Sequence, residues 1–230
     1  MRKGIQRVFS EVSETYELVN HVLTLGLDRR WRRRAAQDAA RSKDGPWLDV
    51  CSGTGEMAQN LAGAAGGGTI VVSLDFSVRM LAKAAEKARR ARIFLALAEA
   101  SRLPFPDGTF DLVTISFATR NINLSRTVLT EHFEEFRRVL KPGGRFINLE
   151  TSQPRSRIIR NLFHLYVGLA VKPVGFFISG SKAGYTYLSQ TIPRFYDLET
   201  LRTILFEAGF RKVSYERLFF GVVAIHTAIK

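Results

Sequence analysis

The sequence predicts an α/β fold, an open and mostly parallel sheet with helices on both faces. Two observations favour it: short apolar segments alternate with amphipathic ones after residue 46, and a glycine turn follows the first apolar segment. At 230 residues and 46% hydrophobic content, the chain can bury one full core. It contains no internal repeat or low-complexity linker, so we expect a single domain over residues 1–230.

Seven segments have the apolar character of strands. The last two are joined by a short turn at Phe220-Gly221 and predict an antiparallel hairpin that closes one edge of the sheet. Ligands of such sheets bind outside the carboxyl ends of the parallel strands, so we expect the site beside the first strand. The predicted strands are Trp47–Val50, Ile70–Leu74, Ile93–Leu97, Leu112–Ser116, Arg145–Leu149, Arg211–Phe219 and Val222–Ile229.

Between the strands, apolar residues recur at helical spacing. The segment Lys141-Pro142-Gly143-Gly144 is expected to end the helix before it, because proline and paired glycines do not continue a helix. The predicted helices are Glu56–Ala62, Val78–Arg90, Arg126–Leu140 and Leu198–Ala208.

The longest apolar stretch runs from Leu162 to Ser179. His164, Lys172, Pro173 and two glycines interrupt it, so we expect it to be too broken for a membrane-spanning helix. Two alternatives stay open at this point. The stretch forms a helical hairpin or lid that covers an oily ligand or rests on a bilayer surface, or it lies in the protein core.

The glycine turn is the main functional signal. Leu48–Ala58 and then Ile70–Asp75 have the pattern of a strand, a glycine turn, a helix and a second strand that ends in a carboxylate. Gly53 and Gly55 let the backbone approach a ligand closely, and Asp75 is placed to accept hydrogen bonds from a ribose. The pattern is typical of a nucleotide-binding site.

Two carboxylates argue against a pyrophosphate ligand at this turn. Asp49 precedes the glycines, and Glu56 lies where a phosphate would meet the helix. A carboxylate repels phosphate but suits a cation. A nucleoside with an amino group, a sulfonium and no phosphate fits both observations, which predicts S-adenosylmethionine. A nicotinamide dinucleotide and a purely structural turn are the alternatives.

The chain carries a formal net charge of +13, which favours an anionic partner, either nucleic acid or an acidic membrane surface. We expect the basic runs Arg29–Arg34 and Arg79–Arg92 to face solvent. Cys51 is the only cysteine and is interpreted as a packing residue, so no intramolecular disulfide can form. No apolar signal core follows the basic N-terminus, which predicts a cytoplasmic protein, with the inner face of the cytoplasmic membrane as a peripheral location.

Several segments together resemble one family. Thr114–Ile122 and Tyr185–Ile192 carry the most specific similarity, and Tyr16–Asn20 and Gly26–Trp31 match the opening segment. The chain resembles class I S-adenosylmethionine-dependent methyltransferases, and within them the ubiquinone/menaquinone biosynthesis C-methyltransferases, over about residues 9–229. It departs from the family pattern at Glu17, Val19, Glu99, Ser181 and Gly184.

The resemblance implies a Rossmann-like class I methyltransferase fold with a seven-stranded sheet, an N-terminal helical cap over residues 1–45 and a helical lid or substrate-binding insertion over 151–197. It implies methyl transfer from S-adenosylmethionine, leaving S-adenosylhomocysteine, to a ring carbon of a prenylated quinol, with demethylmenaquinol as the expected acceptor. An oligomer is possible, and neither a metal nor a nucleic-acid partner is expected.

The site residues follow from the matched positions and the chemistry. A ring carbon becomes nucleophilic when the neighbouring hydroxyl loses its proton, and a fixed cation favours that loss. Arg120 is the candidate cation, with Asn121 and Tyr185 as its catalytic partners. Candidates for contact with the substrate are Tyr16, Asn20, Phe117 and Tyr187. Candidates for binding the cofactor are Asp49, Ser52, Gly53, Gly55, Asp75, Phe76, Met80, Glu99, Ala100 and Ser116.

Three other functions are compatible with parts of the sequence. The acceptor could be another lipophilic small molecule, such as a sterol or a phospholipid headgroup. The positive charge would suit an RNA methyltransferase, although the segment after the fourth strand lacks an Asn/Asp-Pro-Pro-aromatic motif. A non-catalytic scaffold subunit would not need the glycine turn or Asp75. His132 and His226 are interpreted as structural or solvated, and His164 as a weak candidate base.

Overall fold

A seven-stranded sheet with helices around it forms the centre of the protein. The computed structural model describes residues 14–89, 91–180 and 182–230. The strand order is β3-β2-β1-β4-β5-β7-β6, with the first five strands parallel and β7 antiparallel to both β5 and β6. The strands are β1 Trp47–Val50, β2 Val71–Asp75, β3 Ile93–Leu97, β4 Phe110–Ser116, β5 Leu140–Thr151, β6 Arg211–Leu218 and β7 Val223–Ile229.

Ten α-helices are described alongside these strands. They are α1 Tyr16–Leu23, α2 Leu27–Ala39, α3 Glu56–Ala64, α4 Val78–Ala88, α5 Thr119–Ile122, α6 Arg126–Val139, α7 Arg157–Tyr166, α8 Lys172–Ser179, α9 Lys182–Thr191 and α10 Leu198–Glu207. A π-helical stretch, Val167–Val171, joins α7 to α8, and 3₁₀ turns lie at Ile192–Arg194 and Phe219–Gly221. The predicted fold class is confirmed.

The core lies on both faces of the central strands. Strand β1 is buried at all four positions because it pairs with β2 on one side and β4 on the other, while helices cover both faces. On one face, Phe133 and Phe136 of α6 pack near Phe146 of β5. On the other, Trp31 and Ala35 of α2 pack in a cluster with Met57 of α3. The carboxyl ends of β1, β2 and β4 therefore meet at one fixed edge.

The predicted boundaries differ mainly around β5. The helix before it ends at Val139, one residue earlier than predicted, but the strand already begins at Leu140. Lys141-Pro142-Gly143-Gly144 lies inside the strand as an irregularity, since Phe110 pairs with Leu140 whereas Leu112 pairs with Arg145. The segment ends the helix as predicted, and it also changes the register of the sheet.

The helical segment 157–179 corrects the expectation that its interruptions would break it. The helix runs on through the π-helical stretch and through Pro173, the second residue of α8. By length and composition alone it is long and apolar enough to cross a membrane. Only 17% of its most apolar window is buried, so the alternative of a core location is wrong.

Two groups of helices cover the carboxyl edge of the sheet. Helices α1 and α2 form the first, and α7 to α9 form the second. They meet where Val19 of α1 packs with Val167, Val171 and Tyr185. The hydroxyl of Tyr166 donates to the Leu23 carbonyl, 2.6 Å away. The edge that carries the predicted site is thus covered by residues from both ends of the sequence.

Candidate functional site

The turn between β1 and α3 is held by backbone geometry. Cys51, Gly53 and Gly55 all have positive φ angles, 52°, 55° and 81°. A Cβ on Gly55 would lie 3.0 Å from the Cβ of Ala84, so this glycine also allows α4 to pack closely. A Cβ on Gly53 would meet no protein atom within 4 Å, because Gly53 lines a cavity. The space beside Gly53 is available to a ligand.

Asp75 closes this turn from the end of β2. Its Oδ2 accepts a hydrogen bond from the Gly53 N–H at 2.9 Å, and its Oδ1 accepts one from the Ser77 N–H at 2.9 Å. Burial raises the pKa of Asp75, and these backbone donors oppose that rise. Each oxygen retains acceptor capacity, so the carboxylate can also bind ribose hydroxyls.

A cavity of about 1140 Å³, its open mouth included, extends from this turn along the strand ends. Ser77 caps α4 by accepting the Met80 N–H, and this turn brings Phe76 and Met80 to the wall. Ten predicted site residues line the cavity. They are Tyr16, Ser52, Gly53, Asp75, Phe76, Met80, Glu99, Ala100, Ser116 and Asn121.

Asp49 lies beneath the turn rather than on the wall. It is fully buried, its Oδ1 accepts a hydrogen bond from Thr114 at 2.7 Å, and its Oδ2 has no partner among the residues the structure describes. Burial raises the pKa of this carboxyl to about 7. A cation close to Asp49 would stabilise the ionised form of its carboxyl group.

Comparison with known proteins identifies the ligand that the turn between β1 and α3 binds. The model of the ubiE/COQ5 methyltransferase family matches residues 1–230. The chain belongs to this family. It is a methyltransferase with the class I fold, and its methyl donor is S-adenosylmethionine.

Similar proteins extend this result. The ubiquinone/menaquinone biosynthesis C-methyltransferase UbiE of Geobacter sulfurreducens is 36% identical, over 98% of this chain and 88% of its own length. The demethylmenaquinone methyltransferase of Thermus thermophilus is 40% identical, over 95% of this chain and 98% of its own length. A solved S-adenosylmethionine-dependent methyltransferase from Aquifex aeolicus has a TM-score of 0.60 at 18% identity, covering 86% and 88% of the two chains, and supports the fold.

The residues of this family member fit the cofactor. The open space at Gly53, the acceptor capacity of Asp75 and the buried charge of Asp49 suit a ribose and a sulfonium. Cys51 lines the same wall, and burial raises the pKa of its thiol well above the ordinary value. The thiol is therefore not ionised at neutral pH, which agrees with its interpretation as a packing residue.

Glu56 lines the cavity as expected, and two basic side chains contact its carboxylate. Oε2 lies 3.3 Å from Nη2 of Arg32, and Oε1 lies 3.2 Å from Nε2 of His21. Arg32 itself is 4% exposed, which corrects the expectation that the whole basic run faces solvent; Arg29, Arg30 and Arg33 are exposed as predicted.

The predicted catalytic pair lies just after β4 on the short helix α5. Arg120 is 7% exposed; its N–H donates to Glu150 Oε2 at 3.2 Å, and its Nη1 donates to Thr191 Oγ1 at 3.0 Å. Asn121 lines the cavity, and its Oδ1 lacks a partner in the described part of the chain. The guanidinium thus lies behind the wall to which Asn121 contributes.

The predicted substrate residues do not all lie near Arg120 and Asn121. Tyr16 and Tyr187 both interact electrostatically with Arg120 and Glu150, and burial raises the pKa of each phenol. Asn20 hydrogen-bonds the Tyr16 side chain. Phe117 lies elsewhere: its ring stacks under the guanidinium of Arg32, 5.1 Å from the ring centroid.

Tyr185 is placed in the helical cover. Its side chain is 2% exposed and packs against Gly175 and the cluster of Val19, Val167 and Val171. Burial raises the pKa of its hydroxyl to about 12. It is not among the residues that line the cavity, and its catalytic role stays a prediction.

Sequence reasoning missed Arg32, Glu150 and Thr191. Glu150 is 1% exposed at the end of β5, where it accepts from both Arg120 and Thr151. Its position after a buried strand was a usable signal, because the carboxyl ends of parallel strands meet at the ligand edge. Arg32 and Thr191 had no such signal, since helix packing brings them to the site.

The histidines differ from one another. His226 is buried and its Nε2–H donates to the Leu198 carbonyl, 3.0 Å away, so its structural interpretation is confirmed. His132 is buried and also lines the cavity. His164 contacts the side-chain oxygen of Gln153 at 2.7 Å.

Glu17, His21 and Glu56 place potential metal-ligand atoms within 4.8 Å of one another. Each is already engaged by an ionic partner: Lys87, Asp28 and Arg32 respectively. The cluster is therefore explained as an ion-pair network that fastens α1 to α2, α3 and α4.

Proposed function

We propose that the protein transfers a methyl group from S-adenosylmethionine to a ring carbon of a prenylated quinol, with demethylmenaquinol as the acceptor and menaquinol as the product. The observation that carries the proposal is the cavity that runs from Asp75 at the cofactor end to Asn121 and Tyr16 beside Arg120. Relatives named for demethylmenaquinone methylation share this chain's length and 35 to 40% of its residues.

At the cofactor end, Asp75 would hold the ribose, and the turn at Ser52 and Gly53 would pass beneath it. Glu99 and Ala100 would border the adenine, with Phe76 and Met80 as apolar contacts. The bound cofactor supplies an electrophilic methyl group. The protein's task is to align the acceptor and exclude water, for which no covalent nucleophile is needed.

At the acceptor end, Arg120 would stabilise the ring oxygen as it loses its proton. A phenol has a pKa of about 10, and a buried guanidinium lowers it by stabilising the anion. Arginine stays protonated, so it orients and balances charge while water takes the proton. Asn121, whose Oδ1 lacks a partner within the described residues, would hold the acceptor or that water. Glu150 holds the backbone of Arg120 in place.

The test is direct. Purified protein is incubated with labelled S-adenosylmethionine and a membrane lipid extract, and in parallel with total RNA, and the labelled species are identified by mass. We expect label in a quinol heavier by one methylene unit. Label in a sterol, in a phospholipid headgroup or in RNA would overturn the proposal. An exposed-site variant, Arg126→Ala, serves as the control preparation and should keep full activity.

We also propose that the protein associates peripherally with an anionic membrane surface through the exposed side of the 157–179 helix. Apolar side chains follow one another at helical spacing on this side, with Phe177 93% exposed. The exposed residues of this stripe are Ile158, Leu162, Leu165, Leu169 and Phe176.

The charge of the surrounding residues favours a lipid bilayer as the partner of this exposed apolar surface. Residues 151–196 contain six Lys or Arg residues and no Asp or Glu. Arg157 and Lys172 are exposed on the helix itself. Basic side chains beside an apolar stripe are typical of helices that lie in the interface of anionic lipids. Leu18 and Val22 of α1 extend the exposed apolar surface.

Vesicle sedimentation tests this surface. We expect binding to vesicles that contain phosphatidylglycerol, weaker binding to pure phosphatidylcholine, and loss of binding in Leu162→Ser/Phe177→Ser. The matched control is Leu97→Ser on the edge strand β3, where an exposed leucine lies outside the stripe. Equal binding of all three proteins would contradict the proposal, as would a dimer in solution that the double variant abolishes.

A further inference from the structure

The packing of α2 places one arginine of an otherwise exposed run inside the cofactor site. Trp31, Ala35 and Ala36 of α2 lie in one apolar cluster with Met57 and residues that follow it on α3. Arg32 is carried inward with them, to 4% exposure, and its side chain borders the cavity beside the glycine turn. Arg29, Arg30 and Arg33 of the same run are exposed and do not line the cavity.

The guanidinium of Arg32 is held between two carboxylates. Nη1 lies 2.6 Å from Asp28 Oδ2, a tight charge-assisted contact. Nη2 lies 3.3 Å from Glu56 Oε2, which is longer than the usual distance for such a pair. Nε is buried without a hydrogen-bond partner in the described part of the chain. Arg32 therefore has donor capacity that the protein does not fully use.

Glu56 is the partner that faces the cavity with it. It is the first residue of α3, directly after the turn at Gly55, and both Glu56 and Arg32 line the cavity wall together with Gly53 and Thr54. A buried arginine and a partly buried glutamate in loose contact present one positive and one negative group to the same space. Their arrangement suits a ligand that carries both charges on neighbouring atoms.

S-adenosylmethionine ends in such a group, an α-carboxylate and an α-ammonium on one carbon. We propose that Arg32 binds the carboxylate of the cofactor and that Glu56 binds its ammonium, so that the cofactor's amino-acid end enters between the two side chains. The helical cap that carries Arg32 is then part of the cofactor site. The inference requires only the cofactor, not the quinol acceptor.

Other charges around the pair are consistent with this role. Asp28 remains bound to Arg32 and to His21, so Arg32 keeps one fixed anchor when a ligand carboxylate approaches. His21 contacts the other oxygen of Glu56. Lys87, which could compete for a ligand carboxylate, is occupied by Glu17 at 2.5 Å and by the Thr54 carbonyl at 2.9 Å. Among the Lys and Arg residues that the structure describes, only Arg32 lines the cavity.

Calorimetric titration with two ligands tests the inference. S-adenosylhomocysteine keeps the amino-acid end, whereas 5′-methylthioadenosine keeps the adenosine and thioether and lacks it. In Arg32→Met we expect the Kd for S-adenosylhomocysteine to rise about 10- to 30-fold, as for loss of a charged hydrogen bond. The Kd for 5′-methylthioadenosine should stay within about twofold.

The control is Arg34→Met, the same substitution on the same helix, where the side chain is 37% exposed and pairs with Glu216. It should leave both affinities unchanged. Equal weakening of both ligands by Arg32→Met would indicate a structural role and overturn the inference, and so would no weakening of either. If Arg32→Met does not fold, Glu56→Gln is judged by the same criterion, a selective loss for S-adenosylhomocysteine.

Discussion

The two ends of the cavity are built in different ways. The cofactor end comes from a short stretch of sequence, β1 to α4, in which backbone N–H groups hold Asp75 and glycines with positive φ angles shape the turn. The acceptor end is assembled from α1, α5, α9 and the end of β5, which are distant in sequence. Because the cofactor end is built from local backbone contacts, it depends little on changes elsewhere in the chain. The acceptor end depends on how separate helices pack.

Arg120→Ala should have the largest effect of these variants. It should impair the acceptor end of the cavity and leave the cofactor end intact. Removing the cation that stabilises the ring oxygen should lower kcat about 10²- to 10³-fold, as for the loss of one oxyanion donor. The Kd for S-adenosylmethionine, measured by calorimetry, should change by less than about threefold because Arg120 does not line the cofactor wall. Arg126→Ala is the matched control. Full turnover in Arg120→Ala would end its catalytic assignment.

Asp75→Ala makes the converse change at the cofactor end. Gly53 and Ser77 lose their shared acceptor, and the ribose loses its own, so the Kd for S-adenosylmethionine should rise about 10- to 100-fold. Equilibrium binding measures this, with Asp107→Ala, an exposed partner of Arg138, as the control. An unchanged Kd would show that the turn binds the cofactor without Asp75.

Gly175→Ala tests whether helix packing controls the acceptor end. A Cβ there would lie 2.0 Å from Cγ of Tyr185, so α8 and α9 must separate. The free energy of unfolding in urea should fall by about 1–3 kcal/mol, as for overpacking of a core. In Gly168→Ala, on the same helical segment, a Cβ meets nothing within 4 Å, and stability should hold or rise slightly. Similar values for the two variants would contradict close packing.

Asp49→Asn should give the smallest effect, with a sign that depends on pH. The folded pKa of about 7 lies above the unfolded value of about 3.8, so folding favours the protonated form. The ionised carboxylate therefore destabilises the protein increasingly as the pH rises from 3.8 through 7. The Asn side chain of the variant cannot ionise. At pH 8 the free energy of unfolding of the cofactor-free variant should therefore exceed that of the wild type by about 1 kcal/mol. This increase is small because the variant still buries a polar amide.

At pH 4 the two proteins should have nearly equal stability, because both are then uncharged at this position. Urea unfolding at the two pH values measures the difference, and a constant difference would show that Asp49 is not responsible for it. Cofactor binding should weaken in Asp49→Asn, because the buried charge near the sulfonium is lost. Stability and binding would then change in opposite directions at the cofactor end.

The same contrast explains which predictions from the sequence succeeded. The strand–turn–helix unit was readable because its signals are local: a β1 strand buried at all positions, glycines at 53 and 55 and a carboxylate at the end of β2. Strand positions were correct to within a few residues. The interruptions in 157–179 were misjudged because a π-helical stretch and a proline at the start of α8 continue the helix.

Side-chain environments across the helical cover could not be read in this way. Arg29, Arg30, Arg32 and Arg33 look alike in the sequence, yet only Arg32 of these four is buried, because Trp31 and Ala35 fix the rotation of α2 on α3. Tyr16 and Tyr185 are both family-motif tyrosines, but one lines the cavity and the other packs behind it. For Tyr185, which packs with Val19, the outcome depends on contacts between residues more than a hundred positions apart.

The sequence by itself determined the sheet, the glycine turn and the kind of cofactor, because these depend on backbone conformations and on spacings within about thirty residues. Only the tertiary structure decided that Arg32 lines the cavity beside Glu56, that Glu150 supports Arg120, and that an acid-free apolar stripe remains exposed. The physical reason is that each side chain's charge and exposure there is set by helices that pack together from distant parts of the chain.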